Sequence, residues 1–324
     1  MRAMVMKAWG EPRDLELVEL PDPEPGPDQV LVDVRAAGCN FFDLLLIQGK
    51  YQVKPSFPFA PGSEVGGTVR AAGTAARGFS PGDRVLALTG LGAYADAVLA
   101  PASSVYRIPA SMSFEDAAAF PMVYQTSYFG LVHRAHLQAG ETLLVHAGAG
   151  GVGLAAVQIG RALGARVLAT AGSAAKLDVA RANGAVDAFD YSKPDWVERV
   201  QEATGGRGAD VIYDPVGGDV FDLSTKCIAF GGRLLVVGFA SGVIPTIQVN
   251  RVLLKNIAIV GLHWGAYRQN DPEKIPQAMA ALFAMYERGA VTPVVSSTYA
   301  LADAAQALDE IASRRSIGKV VLVP

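Results

Sequence analysis

The chain has 324 residues, 51% of them hydrophobic and 18% charged, and a formal net charge of -3. This length and composition predict about two domains with sizeable cores and exclude a disordered chain. The near-neutral balance, without long runs of one sign, excludes a basic nucleic-acid surface or an anionic-membrane surface.

The N-terminal run Met1-Arg2-Ala3-Met4-Val5-Met6-Lys7 soon meets Glu11, Arg13 and Asp14, so it lacks the apolar stretch of a signal peptide. Only two cysteines, Cys39 and Cys227, stand far apart. They argue against a disulfide framework and for a reducing, cytoplasmic setting. As far as residue 120, short β-like runs (29–34, 65–69, 83–88) are separated by turns such as Pro25-Gly26-Pro27-Asp28 and Pro81-Gly82-Asp83. That texture predicts a mostly antiparallel, barrel-like domain. A helix is expected over 126–136, with His133 and His136 on a surface face.

From 121 to 261 strands and helices alternate. Strands are predicted at 142–147, 166–170, 186–189, 210–213, 233–237 and 257–260. Helices are predicted at 152–163, 174–183, 194–204 and 220–229. The alternation defines an α/β chain with a Rossmann, doubly wound parallel sheet. The apolar stretch 143–163 carries Arg161 and turn glycines, so it reads as strand and helix, not as a membrane span. Helices at 276–288 and 301–314 and a strand at 319–323 follow. The expected division is 1–121, 122–261 and a return segment 262–324 that completes the first domain.

The most informative motif is Gly148-Ala149-Gly150-Gly151-Val152-Gly153. It has G-x-G-x-x-G spacing between a predicted strand and a predicted helix. The first glycine permits the turn, the second lets backbone approach a pyrophosphate, and the third lets helix pack on sheet. Free N–H groups at the helix start face the anion. Ala149, Gly150, Gly151, Val152 and Gly153 are therefore dinucleotide-binding candidates.

A ribose-binding acid is expected about 20 residues later, but the sequence there reads Ala169-Thr170-Ala171-Gly172-Ser173-Ala174-Ala175-Lys176. An acid would repel a 2′-phosphate, whereas the Ser173 hydroxyl and Lys176 attract one. Tyr191 is placed to stack on adenine or reach the same phosphate. NADPH is thus favoured over NADH. The alternative has Ser173 capping the next helix and Lys176 solvated. Gly217 and Gly238, in loops after the fourth and fifth strands, lie where open parallel sheets bind ligands; Phe239 follows in the second loop. No Ser, His and acid set suggests acyl transfer, and the Gly-x-Ser-x-Gly elbow is missing from the strand–helix junctions.

The whole chain resembles the medium-chain dehydrogenase/reductases. The resemblance rests on Gly38-Cys39-Asn40-Phe41-Phe42-Asp43 and Gly62-Ser63-Glu64-Val65-Gly66-Gly67-Thr68-Val69, and it implies a GroES-like first domain. Zinc members carry a cysteine where this chain has Asn40 and a histidine where it has Ser63. Three protein ligands are the norm for catalytic zinc, so no metal is expected; Glu64 is expected as a buried partner in the fold. Asn40-Phe41-Phe42-Asp43, Gln48-Gly49-Lys50-Tyr51, Thr126-Ser127-Tyr128 and Val236-Val237-Gly238 resemble the zinc-free quinone oxidoreductases, the zeta-crystallin-like group. That group often has tyrosine at the place of Leu45 and arginine near Gln48, so this pocket is more apolar.

The resemblance implies NADPH-dependent reduction of a quinone or α,β-unsaturated carbonyl, often by a homodimer. It also puts Leu262, His263 and Trp264 against the nicotinamide edge, mainly through backbone groups. Hydride delivery leaves negative charge on an acceptor oxygen, and hydrogen-bond donors must meet it. Asn40, Tyr51 and Thr126 are the candidates. Tyr51 either donates a proton or orients the nicotinamide. Asn40 has the alternative of holding a turn, and Thr126 of starting a helix. Asp43 is read as a structural acceptor and His146 as a satisfied core group. An enoyl-thioester reductase and a non-enzymatic NADPH-binding protein remain as alternative readings.

Overall fold

The computed structural model describes residues 1–324. It divides into two compact units, Met1–Met122 with Pro293–Pro324, and Val123–Thr292.

The first unit is built on a mostly antiparallel sheet. Its path runs Val295–Ala300, Lys319–Val323, Gln29–Cys39, Glu64–Ala72, Arg84–Leu88, Val105–Arg107, and Ala97–Pro101 also pairs with Gln29–Cys39. Along Gln29–Cys39, Asp33 and Arg35 reach solvent while Val30, Val32, Val34 and Ala36 are buried, the period-2 pattern of a strand. Val30, Val32 and Val34 meet Val65, Val85, Ala87, Val320 and Leu322 in one core, and Ala36 packs with Ala118, Ala119 and Val321 in another. Each fully buried aliphatic there contributes about 1.5–3 kcal/mol. The last strand lies antiparallel to Gln29–Cys39 with Val320 opposite Cys39 and Val321 opposite Gly38.

The second unit holds six parallel strands: β1 Thr142–Val145, β2 Arg166–Ala171, β3 Asp187–Asp190, β4 Ala209–Asp214, β5 Ile228–Val236 and β6 Ala258–Gly261. Their order is β3-β2-β1-β4-β5-β6, the doubly wound arrangement whose direction of winding reverses between β1 and β4. Helices Gly151–Ala162, Ala174–Ala182, Trp196–Ala203 and Gly218–Cys227 connect the strands. Leu144, Leu168, Ile212 and Leu234 pack with Trp196 and Phe221. Strands covered on both faces read as continuous apolar runs, not alternating ones.

Three differences from expectation have local causes. β5 starts at Ile228, not 233, because a register break between Ala209 and Val211 accommodates extra residues on β5, with Gly231 at φ +75°. The helix expected over 126–136 is an α-helix, Pro121–Tyr128, continued as a π-helix, Phe129–Arg134. His133 is half-buried against the rings of Phe129 and Tyr128, at 4.9 and 5.8 Å, and only His136, past the helix at φ +48°, is a surface residue. Residues 262–292 group with the second unit instead of with the returning tail. Gln158 fastens them by donating to the Thr292 carbonyl and accepting from the Thr292 N–H, both at 2.9 Å. The helix Lys274–Glu287 buries Ile275, Ala278, Met279 and Leu282 there. No helix is long and apolar enough to cross a membrane.

Candidate active site

β1 ends at Val145, and the chain turns through Ala147 at φ +49°. A non-glycine residue in the left-handed region costs roughly 1–2 kcal/mol. This strain sits at the entry to the glycine loop, and the sequence motif did not reveal it.

The glycines of the loop differ in what demands them. A methyl group on Gly153 would stand 2.1 Å from the Ala147 carbonyl oxygen, and one on Gly148 would stand 2.8 Å from the Ala169 methyl. A methyl on Gly150 would meet nothing closer than 3.4 Å. Protein packing therefore requires the outer two glycines, whereas a side chain at Gly150 would make only an ordinary contact with the protein. Gly150 precedes the helix, and no side chain caps the N–H groups of Gly151, Val152 and Gly153. That end offers aligned donors to an anion. Ala149 is buried and presents only backbone.

Two buried networks hold this turn, and neither shows as a motif. Ser127 donates to the Val152 carbonyl at 2.8 Å, so the Tyr213 hydroxyl, 2.9 Å away, donates to Ser127. Ser224 donates to the Val220 carbonyl, so it accepts from His146 Nε2–H, and His146 Nδ1 accepts from the Thr170 hydroxyl, both at 2.8 Å. Burial depresses His146 to about 4. It is the neutral, satisfied core group expected.

After β2, Gly172 lies against Tyr191: a methyl on it would be 3.4 Å from the ring and 3.5 Å from the hydroxyl. Ser173 precedes the next helix without capping any of its N–H groups, which removes the capping alternative. Lys176 is half-buried on the first turn, and desolvation lowers its pKa. Gly172, Ser173, Lys176 and Tyr191 thus share the end of β2.

At the end of β4, Asp214 accepts from the N–H groups of Val216 and Gly217, at 2.8 and 3.0 Å, and shapes the loop. Gly217, at φ +70°, packs against Phe239: a methyl would be 3.0 Å from its ring. The loop carrying Gly238 is tied back by the Ala240 N–H to the Pro215 carbonyl, 3.0 Å. Leu262 N–H donates to the Val236 carbonyl at the end of β5. His263 is exposed and Trp264 is buried with its indole N–H unpartnered. Thr126 lies inside the helix Pro121–Tyr128 and does not start it.

In the first unit, Asn40 joins the strand Gln29–Cys39 to the helix Phe41–Ile47. Its N–H donates to Asp43 Oδ2 at 2.8 Å, and the Tyr94 hydroxyl donates to the same oxygen at 2.9 Å. Burial raises Asp43 to about 7. It is an acceptor, as expected. The Asn40 side chain is 7% exposed; its Nδ2 donates to Glu64 Oε1 at 2.8 Å and its Oδ1 accepts from Lys319 Nζ at 2.6 Å. Lys319 also donates to the Cys39 carbonyl at 2.7 Å and to Glu64 Oε1 at 2.8 Å. Glu64 Oε2 accepts from the Met122 N–H. Gly38 must lack a side chain here, since a methyl would stand 2.6 Å from Glu64 Oε1 and 2.2 Å from the Ala118 carbonyl. Tyr51 packs on Phe42 at 5.4 Å, and burial, then the charge of Asp43, raises its pKa. That makes it a weaker acid than free tyrosine.

Comparison with known proteins places this geometry. Residues 26–110 match the alcohol dehydrogenase GroES-like domain, and residues 151–284 match the family described as zinc-binding dehydrogenase. A quinone oxidoreductase-like protein 2 homolog of Nematostella vectensis is 41% identical over 92% of this chain and 82% of its own length. A quinone oxidoreductase of Pseudomonas aeruginosa is 39% identical over 98% of both chains. The Escherichia coli quinone oxidoreductase solved in complex with NADPH superposes with a TM-score of 0.93 at 32% identity, covering 100% of both chains. The chain belongs to the medium-chain dehydrogenase/reductases, in their quinone oxidoreductase group, and is an oxidoreductase.

The zinc in the description of one matching family calls for a donor set that this chain does not present. No group of three or more His, Cys, Asp or Glu side chains is placed to hold a metal. Asn40 and Ser63 offer an amide and a hydroxyl, neither of them a usual zinc donor, and the Lys319 ammonium occupies the polar cluster beside Asn40 and Glu64. The Cys39 thiol is buried, and that burial pushes it up to about 12. The residues do not fit zinc.

Proposed function

We propose that this protein catalyses NADPH-dependent, zinc-independent reduction of a quinone or an α,β-unsaturated carbonyl. The observation that carries the reading is the uncapped helix start at Gly150–Gly153, paired with a second-strand end that has Gly172, Ser173, Lys176 and Tyr191 and no acid. The superposition on an NADPH-complexed quinone oxidoreductase supports the same cofactor.

NADPH, when bound, supplies the hydride. The N–H groups of Gly151, Val152 and Gly153 receive the pyrophosphate. Ser173 and Lys176, with Tyr191, receive the 2′-phosphate, where a carboxylate would repel it. The loops at Gly217, Gly238–Phe239 and Leu262–Trp264 orient the nicotinamide, His263 through backbone. Asn40, Tyr51 and Thr126 act as donors to the oxygen that gains charge on the acceptor. The raised pKa of Tyr51 favours orientation over proton donation, so the product takes its proton from solvent.

The protein works as a homodimer in a reducing, cytoplasmic setting, with no nucleic-acid or membrane partner. Both cysteines are buried and free. Phe230, Ile244, Val249, Leu253 and Leu254, from β5 to the helix before β6, are each more than 70% exposed, and exposed apolar side chains of this kind are what a partner surface would cover.

The test is consumption of NADPH and of NADH with 1,4-benzoquinone, a simple enone and crotonyl-CoA as acceptors. Turnover with quinone or enone supports the reading. Turnover confined to crotonyl-CoA would make the chain an enoyl-thioester reductase. Binding of NADPH without oxidation by any acceptor would make it a sensor.

A further inference from the structure

Glu64 and Lys319 form an ion pair with side chains 0% and 4% exposed, separated by 255 positions in sequence. Burying two charges removes their hydration, and a packed apolar pair is often as stable or more so. Stability alone therefore does not account for this pair. What it touches does.

All three protons of the Lys319 ammonium are directed at oxygens: the Cys39 carbonyl, Asn40 Oδ1 and Glu64 Oε1, at 2.7, 2.6 and 2.8 Å. An ammonium only donates and a carboxylate only accepts. The Asn40 amide lies between them, its oxygen on the ammonium and its nitrogen on the carboxylate, the latter at 2.8 Å. Turning the amide over would set NH2 against NH3⁺ and oxygen against carboxylate, losing two charge-assisted hydrogen bonds. One amide orientation is therefore enforced from both sides. In that orientation one Nδ2 proton is spent on Glu64. The other is held only by a long, weak hydrogen bond to the Gly38 carbonyl at 3.5 Å.

We propose that Lys319 and Glu64 are a charge lock on the Asn40 amide, and that Lys319 is a positioning residue for the reduction. A cation carried by the chain fixes the amide so that its remaining N–H is the donor presented to the acceptor oxygen. The inference rests on the reading that Asn40 meets that oxygen.

The test is a double-mutant cycle of Lys319→Met and Asn40→Ala, read as kcat with quinone, NADPH Kd, and the Asn40 side-chain amide resonances in 15N NMR. Lys319→Met is expected to lower kcat about tenfold and leave NADPH Kd within about twofold. It should also collapse the separation of the two Asn40 amide protons. Asn40→Ala is expected to lower kcat about a hundredfold, and adding Lys319→Met should then change nothing more. Equal losses from Lys319→Met with and without Asn40 would overturn the lock. So would an unchanged amide spectrum. A wild-type kcat in Asn40→Ala would instead overturn the donor role of Asn40, and the lock with it. If Lys319→Met does not fold, Lys319→Gln keeps one N–H for Asn40 Oδ1. Its kcat should lie between the wild type and Asn40→Ala, and a wild-type kcat would count against the proposal.

Discussion

Gly153 lies so near Ala147 that a methyl group on it would stand 2.1 Å from the Ala147 carbonyl oxygen, closer than atoms can approach. Three positions earlier, a methyl group on Gly150 would meet the same oxygen only at 3.4 Å, an ordinary contact. The two glycines of one motif thus differ: the fold requires Gly153, while Gly150 is left to the proposed nucleotide.

Gly153→Ala should therefore act on stability and Gly150→Ala on binding. The first is expected to cost about 1–3 kcal/mol through overpacking. The second should leave the thermal midpoint near wild type while weakening NADPH about tenfold, roughly 1.4 kcal/mol. Thermal denaturation and a fluorescence titration separate the two. A large loss of stability in Gly150→Ala would contradict the ligand role.

Lys176→Ala should weaken NADPH about 10- to 100-fold and leave NADH nearly unchanged, since charge-assisted hydrogen bonds contribute about 1.5–3 kcal/mol. Added salt should reduce the wild-type preference. Equal losses for the two nucleotides would remove Lys176 from the 2′-phosphate site.

Stability should carry two opposing pH slopes. Asp43 is raised from 3.8 to about 7. Below 3.8 both states are protonated and its contribution is fully present. Between 3.8 and 7 the unfolded chain gives up the proton that the folded chain keeps, so stability falls as pH rises. His146 is lowered from 6.5 to about 4. Above 6.5 both states are neutral and its contribution is complete; as pH falls towards 4, stability is lost. Each slope reaches at most about 1.4 kcal/mol per pH unit, and where they overlap they offset. Asp43→Asn should unmask the rise of stability with pH, and His146→Gln the fall. Denaturant titrations from pH 4 to 7 measure both; identical slopes in the two variants would refute the assignment.

Leu253, 74% exposed on the helix Val249–Lys255, should lie within the contact of the proposed dimer. Leu253→Asp is expected to give a folded monomer by light scattering. A wild-type dimer would move the contact elsewhere.

Much of this was legible in the sequence. Glycine spacing, strand–helix alternation and the missing acid after β2 marked the nucleotide-binding unit, because turns and periodicity are local properties. Asn40, Asp43 and Glu64 were marked by the family resemblance. Lys319 was not, although a single lysine inside Lys319-Val320-Val321-Leu322-Val323 is the one charge in an apolar strand. Its partners lie 255 and 279 positions away, and only the register that sets Val320 opposite Cys39 brings them together. Gln158 escaped notice for the same reason: it reads the backbone of Thr292, 134 positions on. The strained Ala147 could not be read at all, since alanine carries no turn preference.

The most direct measurement is turnover of NADPH with 1,4-benzoquinone after exhaustive treatment with a zinc chelator, followed as loss of the reduced nicotinamide absorbance. Full activity is expected to persist, with NADPH strongly preferred over NADH. Activity that vanished with the chelator and returned with zinc would contradict a site built from amide, hydroxyl and ammonium groups alone.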